Sequence, residues 1–170
     1  MNRFILLFCA FLLCLSAKAQ DSYLQEFQQK WANAKAYTLE LAQAMPEEYY
    51  DFKPTEEQMS FKRQLLHTAS NMVWLSSAYL NGKKLEADLR SDDYTKAEVI
   101  ELLERSFNNA AAAVIDFPVE ELKTEVKFFA GPMSKRQIIV LMNDHVVHHR
   151  GQMIVYARLK GIEPPKFRGW

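Results

Sequence analysis

Apolar residues recur every three or four positions in four long stretches of this chain, and that period is typical of α-helices with one apolar face. The stretches predict helices over roughly residues 23–45, 60–80, 95–116 and 134–160. One-sided helices bury their apolar faces by packing around a shared core. The sequence therefore predicts an all-α fold, a four-helix bundle.

Local signals mark the ends of these helices. Ser60 is a predicted N-cap for the second helix, and the runs Thr95-Lys96-Ala97-Glu98 and Ser134-Lys135-Arg136-Gln137 are capping boxes for the third and fourth. Residues that stop a helix follow each predicted end, namely Pro46, Asn81-Gly82, Pro118 and Gly161.

The connection between the third and fourth helices has a different pattern. Residues 125–129 alternate polar and apolar side chains, which predicts a short extended segment over one end of the bundle. Gly131-Pro132 is the predicted turn that follows it. At the other end of the last helix, Phe167 and Trp170 make the terminus apolar, so we expect it to dock on the body.

The first 19 residues have the features of a signal peptide. Arg3 precedes an apolar run of twelve residues, Phe4 to Leu15, and Ala17-Lys18-Ala19 provides the small residues that signal peptidase reads. A membrane-spanning helix needs about 20 residues, so a retained anchor is the weaker interpretation. We expect cleavage before Gln20, export across the inner membrane to the periplasm, and one domain over residues 20–170.

Both cysteines, Cys9 and Cys14, lie in that predicted signal. A lipoprotein is the alternative, but Cys14 follows Leu12-Leu13 rather than small residues. Without cysteine, residues 20–170 offer no disulfide, thiolate ligand or cysteine nucleophile, so any reacting thiol must come from outside.

Charge excludes two classes of partner. The chain has 21 basic and 21 acidic residues, and removing Arg3 and Lys18 leaves 19 basic against 21 acidic. The two signs are interspersed, so the sequence has no basic cluster of the kind that binds nucleic acid or an anionic membrane surface.

The chain has four histidines. Three of them lie within five residues, His145, His148 and His149, and the fourth, His67, lies far upstream. On a helix His145 and His149 share a face at i and i+4, a spacing at which two imidazoles can bind one metal ion, whereas His148 points about 100° away. His145 with His148, at i and i+3, is the alternative pair. Packing could bring His67 across the bundle to complete three ligands, and three nitrogen ligands plus a water are typical of an open, catalytic-type site.

Neighbouring polar residues are candidates for orienting those rings. Asn71 lies one turn beyond His67, at the edge of the predicted site, and His148 lies beside the ligand His149. Gln152 and Asn143 either hydrogen-bond the second ring nitrogens of the ligands or face water. No carboxylate stands at a fixed spacing that would make it a general base, since Asp144 should point away from the ligand face.

Other residues near the cluster have structural interpretations. Arg150 is predicted to be exposed or paired with an acid. Gly151 is predicted to permit close packing of helices, and leaving room beside the site is the alternative. Trp31, Trp74 and Tyr156 are expected in the core, although a tryptophan near a ligand can also wall a pocket.

With these residues in place, the chain resembles the DinB-like (YfiT-type) family. The resemblance rests on the run from Met45 to Pro54 (Met-Pro-Glu-Glu-Tyr-Tyr-Asp-Phe-Lys-Pro), the helix start from Ser60 to His67, and the run from His145 to Gln152. It implies an up-down-down-up four-helix bundle, often homodimeric, that binds a divalent metal such as Zn or Ni through His67, His145 and His149.

The family resemblance also implies function classes. Related branches include metal-dependent hydrolases, thiol-dependent S-transferases and a maleylpyruvate isomerase that uses low-molecular-weight thiols. The predicted signal peptide departs from the mostly cytosolic family. Two hypotheses therefore stand: a metal-dependent hydrolase or S-transferase acting on a small molecule, or a non-catalytic module that binds metal or a partner.

Overall fold

The computed structural model describes residues 22–170. The predicted signal peptide, with Cys9, Cys14 and the expected cleavage before Gln20, lies outside the described residues. Within them the body consists of α1 (Ser22–Ala44), α2 (Phe61–Tyr79), α3 (Lys96–Ile115) and α4 (Lys135–Leu159). The predicted four-helix fold is confirmed.

Side-chain caps fix the start of three of these helices. The Ser60 hydroxyl accepts a hydrogen bond from the Arg63 amide at 3.1 Å, so α2 begins at the next residue. Both capping boxes form, at Thr95 for α3 and at Ser134 for α4. Each satisfies two backbone N–H groups that a helix start would otherwise leave unpaired.

The helices pack in the order α1, α3, α2, α4 around the bundle, so that α1 and α2 lie across a diagonal. Gln28 near the start of α1 donates to the Ile115 carbonyl at the end of α3, so this pair is antiparallel. Lys62 near the start of α2 donates to the Asp92 carbonyl just before α3, and Asn109 late in α3 donates to the Lys83 carbonyl just after α2. These contacts make α2 and α3 parallel.

The helix α4 completes the arrangement. It runs antiparallel to α2, because His67 meets His145 while Gln64, one turn earlier, meets Gln152. The resulting order is up-down-down-up, which is the topology that the family resemblance implies.

The interior is filled by aromatic and aliphatic side chains from all four helices. Trp31 is 2% exposed, stacks on Phe27 and donates its indole N–H to the Phe107 carbonyl at 3.1 Å, so its polar atom is satisfied inside the core. Tyr156 is buried as well. The largest fully buried side chains include Leu24, Leu41, Met45, Phe61, Leu65, Phe107 and Ile138.

A two-stranded hairpin joins α3 to α4. Its strands β1 (Glu125–Phe128) and β2 (Gly131–Ser134) are antiparallel, which confirms the short extended segment. The predicted turn at Gly131-Pro132 was wrong by two residues, since Phe129 and Ala130 form the turn and Gly131 already pairs with Phe128. Gly131 has φ of +117°, so glycine is needed to start the returning strand rather than to form the turn itself.

Two predictions about α4 were wrong. Arg150 is 4% exposed and has no acidic partner among residues 22–170: its guanidinium lies 4.8 Å from the Tyr37 ring centre and donates weakly to the Ala34 carbonyl at 3.5 Å. An aromatic face substitutes for a carboxylate here because α1 lies on that side of α4. Gly151 is exposed, and a Cβ added to it would meet no atom of the described residues within 4 Å, so none of the four helices approaches it closely.

In the described structure, the C-terminal tail contacts α1 through two polar interactions and one ring contact, in which Phe167 lies edge-on to Tyr37 at 6.3 Å. Arg168 pairs with Glu40 at 2.8 Å, and Asn33 donates to the Trp170 carbonyl at 2.5 Å. The rings of Phe167 and Trp170 remain mostly exposed. Among the helices of residues 22–170, none combines the length and the apolar character that crossing a membrane requires.

Candidate metal centre

Three histidine side chains converge between α2 and α4. The Nε2 atom of His145 lies 3.1 Å from Nε2 of His67 and 3.1 Å from Nε2 of His149. Within residues 22–170 these three form the group of side chains that could hold a metal ion. His145 and His149 share one face of α4, and the antiparallel packing of α2 supplies His67.

This geometry fits a divalent ion. A tetrahedral zinc site with Zn–N distances of about 2.0–2.1 Å places its nitrogen ligands about 3.3 Å apart. The observed separations of 3.1 Å are close to that value and join the same atom of each ring. Neutral imidazole nitrogens are typical ligands of zinc and nickel.

The second nitrogen of His149 is held by a residue that sequence reasoning missed. Nδ1 of His149 lies 2.5 Å from Oε1 of Gln64, an amide oxygen that only accepts, so Nδ1 carries the proton and Nε2 keeps its lone pair for a ligand role. The Gln64 amide nitrogen donates to Oε1 of Gln152 at 3.1 Å and to the Tyr156 hydroxyl at 3.3 Å. Tyr156 in turn donates to the Met59 carbonyl at 3.1 Å.

A signal for Gln64 does exist in the sequence. It precedes His67 by three residues, so the two share a face of the same helix, and it interrupts the apolar stripe between Phe61 and Leu65. A buried glutamine in that position needs a polar partner. Its partner is on α4, which only the packing of the bundle reveals.

Gln152 and His148 form the outer end of this network. Gln152 lies against Gln64 and, through its amide nitrogen, 2.8 Å from Nε2 of His148. It therefore supports His149 through Gln64 and does not touch a ligand ring itself. His148 is exposed, with its ring edge-on to that of His149 at 4.9 Å, and lies outside the converging group.

Asn71 lies one turn beyond His67, and both residues line a cleft that opens beside His67. Its Oδ1 is buried without a hydrogen-bond partner in the described part of the chain, and so is Nδ1 of His145. Asn143 is turned away from the cluster toward Tyr23 and Phe27, and donates to Asp144 at 3.4 Å. Neither Asn143 nor Asp144 belongs to the histidine group.

The histidines are held neutral. Burial, with smaller contributions from neighbouring histidines, lowers the pKa of His145 to about 4 and that of His149 to about 3. Burial, followed by the nearby Arg63 charge, also lowers the pKa of His67. Near neutral pH all three rings are therefore unprotonated, which is the form that binds a metal.

A cleft of about 460 Å³ opens beside His67. Trp74 forms part of its wall and is 39% exposed, so the core position expected for it was wrong and the alternative role as a pocket wall is the observed one. The cleft is lined by Arg63, His67, Ser70, Asn71, Trp74 and Arg90.

An up-down-down-up bundle with three histidines converging from two facing helices defines a class of helical proteins with a metal-competent centre. Comparison with known sequences agrees, since residues 16–170 match the DinB family. The chain belongs to the DinB family.

Its relatives share the fold at low sequence identity. The uncharacterized protein YjoA of Bacillus subtilis (strain 168) is 23% identical over 128 residues, covering 73% of this chain and 82% of that protein. The crystal structure of that DinB-like protein superposes with a TM-score of 0.69 at 22% identity, over 84% of this chain and 96% of the other. The crystal structure of a DinB-like protein from Bacillus cereus ATCC 10987 superposes with a TM-score of 0.72 at 18% identity, over 85% of this chain and 97% of the other.

Proposed function

We propose that this protein is a metal-dependent enzyme of the DinB family, with His67, His145 and His149 as ligands of one divalent ion, Zn or Ni, and that it acts on a small molecule. The convergence of three Nε2 atoms, with that of His145 3.1 Å from each of the other two, carries the proposal. When bound, such an ion acts as a Lewis acid that activates water or a thiol near neutral pH. The three protein ligands leave room for a reactant, as catalytic sites require.

The chain's own residues favour S-transfer over hydrolysis within that proposal. Hydrolysis usually employs a general base to take a proton from water. Among the described residues, no aspartate or glutamate lines the cleft beside His67. A thiol loses its proton to solvent far more readily than water does, so its reaction depends less on such a base. Because residues 20–170 contain no cysteine, that thiol is a second substrate.

The network behind the ligands serves to orient them. Gln64 fixes the proton of His149 on Nδ1, and Tyr156 and Gln152 fix the Gln64 amide. The ligand ring is thereby held before an ion arrives, which reduces the reorganisation that binding requires.

The metal claim is tested by a matched pair of variants. We expect His149→Ala to abolish most binding of Zn or Ni, because one of three nitrogen donors is lost, while His148→Ala retains one ion per chain. Metal content after dialysis, measured by plasma mass spectrometry, checks this. The reverse pattern would mean that His145 and His148 are the pair and that the ligand face is misassigned.

The enzymatic claim is tested by turnover. Metal-loaded and chelated protein are assayed with small thiols against electrophilic acceptors, and separately with an ester panel. We expect metal-dependent loss of thiol in the first assay and little ester hydrolysis. A stably bound ion without turnover in either assay would favour the non-catalytic alternative, a module that binds metal or a partner.

Export and assembly belong to the same proposal. We propose that the mature chain begins at Gln20, is periplasmic and forms a homodimer. N-terminal sequencing of protein from a cell-envelope fraction and light scattering of the purified chain test these points. An intact Met1 on protein from the cytosol would overturn export, and a monomer mass would overturn the dimer.

A further inference from the structure

The cleft beside His67 is built from two elements that carry positive charge. Most of its lining comes from α2, and Arg90 comes from the connection between α2 and α3. Its volume of about 460 Å³ falls in the range of small-molecule sites. Two guanidinium groups line it, and none of the carboxylates in residues 22–170 does.

The two arginines, Arg63 and Arg90, make different contacts. The Arg63 guanidinium donates to the carbonyl of Arg90 at 3.0 Å and to that of Leu89, and it contacts the Asp92 carboxylate at 3.3 Å. Its hydrogen-bonding capacity is thus largely used in holding the connection against α2. Leu89, 7% exposed, anchors the same stretch in the core.

Arg90 is fixed by its backbone and keeps its side chain available. Its amide donates to the Asp88 carboxylate at 3.0 Å, which shapes the turn. Its side chain is exposed, and no ion pair engages its guanidinium anywhere in residues 22–170. A guanidinium in this position can offer two parallel N–H groups to a carboxylate or a phosphate.

Trp74 gives the cleft an aromatic portion of its wall. Trp74 lies 5.7 Å from Phe128 and 6.3 Å from Phe129, measured between ring centres. The hairpin thus packs against the indole, while Trp74 remains 39% exposed and lines the cleft. An exposed aromatic face of this kind suits a planar or apolar portion of a ligand.

We propose that this cleft binds the anionic group of the substrate, a carboxylate or a phosphate, on Arg90, with the apolar part of the molecule against Trp74. The substrate is then a small organic anion whose reactive end reaches His67. Only that last placement rests on the proposed metal-dependent function, because Arg90 and Trp74 can bind the anion without an ion.

The test compares anionic and neutral probes that share a phenyl ring. Benzoate, phenyl phosphate and benzamide are titrated into the mature chain, metal-free and metal-loaded, while the indole N–H signal of Trp74, assigned with Trp74→Phe, is followed by NMR. We expect at least one anion to bind metal-free protein about tenfold more tightly than benzamide, as a charge-assisted hydrogen bond to arginine provides. The preferred anion identifies the carboxylate or the phosphate source.

Three variants localise the effect. Arg90→Gln should remove the preference for the anion, Arg90→Lys should restore part of it, and Arg158→Gln should leave it unchanged. Arg158 is the matched control, since it is an exposed arginine in the last turn of α4 and does not line the cleft. Arg90 is exposed too, so its replacement should not disturb folding, and the melting temperature checks this.

Each outcome separates this inference from the proposed function. Equal binding of benzamide and both anions, or a preference that persists in Arg90→Gln, overturns the anion site even if the protein binds metal. A preference that depends on Arg90 supports it even if the chain binds no metal, in which case only the metal-dependent function fails.

Discussion

Gly151 stands within α4, two residues after a proposed metal ligand, and no side chain of residues 22–170 packs against its Cβ position. Glycine inside a helix costs about 1 kcal/mol relative to alanine, because it loses more backbone freedom on folding. We expect Gly151→Ala to raise the free energy of unfolding by about 0.5–1 kcal/mol in a urea titration, with metal stoichiometry unchanged. A lower stability would reveal that a second copy of the chain approaches this position.

Gln64 is the residue on which the orientation of His149 depends. Gln64→Leu removes the acceptor at 2.5 Å and leaves the Nδ1 proton of His149 unpaired. We expect metal affinity to fall about 10- to 100-fold, the usual effect of losing such a partner. Competition with a chromogenic chelator measures it.

Gln152→Ala is the comparison for that experiment. Gln152 touches Gln64 but no ligand ring, so its loss should weaken metal binding much less. An equal effect of the two substitutions would indicate that the network acts as one unit rather than through Gln64.

Residue-scale predictions from the sequence succeeded where spacing along one helix decides the answer. His145 and His149 are together because four residues make about one turn. The predictions failed where burial of a side chain depends on how its helix is rotated against its neighbours. Arg150 is buried because α1 lies on its side of α4, and Trp74 is at a cleft because the hairpin, rather than a further helix, lies beside it in the described structure.

At the scale of helices, end positions were predictable because caps and stops are local. Ser60, Thr95 and Ser134 each bond within their own first turn, so four residues of sequence contain the whole interaction. The partner strand β2 was not predicted, since pairing depends on how Phe129 and Ala130 fold back rather than on the alternation of β1.

The facing helices α2 and α4 give the metal-free bundle a pH dependence. In the unfolded chain histidine has a pKa of about 6.5. In the folded chain the pKa is about 4 for His145 and about 3 for His149. Between these values the unfolded state binds more protons than the folded state. The free energy of unfolding is therefore at its full value above about pH 6.5 and decreases as the pH falls toward about 3.

Urea unfolding of chelated protein between pH 7 and pH 4 measures this decrease. The double variant His145→Gln with His149→Gln should show a flatter profile, because two of the groups with lowered pKa are gone. A wild-type profile as flat as that of the double variant would mean that these rings are already accessible to protons in the folded state.

At the scale of the whole molecule, the proposed metal binding would be coupled to folding, because the proposed ligands join two helices that are separate in sequence. Among residues 22–170, His67 is 78 positions from His145, so an ion that binds all three ligands binds only the folded bundle. An ion present at 100 times its dissociation constant then adds about 2.7 kcal/mol to the free energy of unfolding. For a domain of this size that corresponds to a rise in melting temperature of about 5–10 °C.

Thermal unfolding in buffered Zn or Ni, and again with chelator, measures that rise. His149→Ala should melt at one temperature in both conditions, whereas His148→Ala should keep the full difference, since only His149 belongs to the converging group. If metal leaves the melting temperature of the wild-type chain unchanged, the three nitrogens do not bind an ion in the folded state. The buried histidines would then serve the packing of α2 against α4 alone.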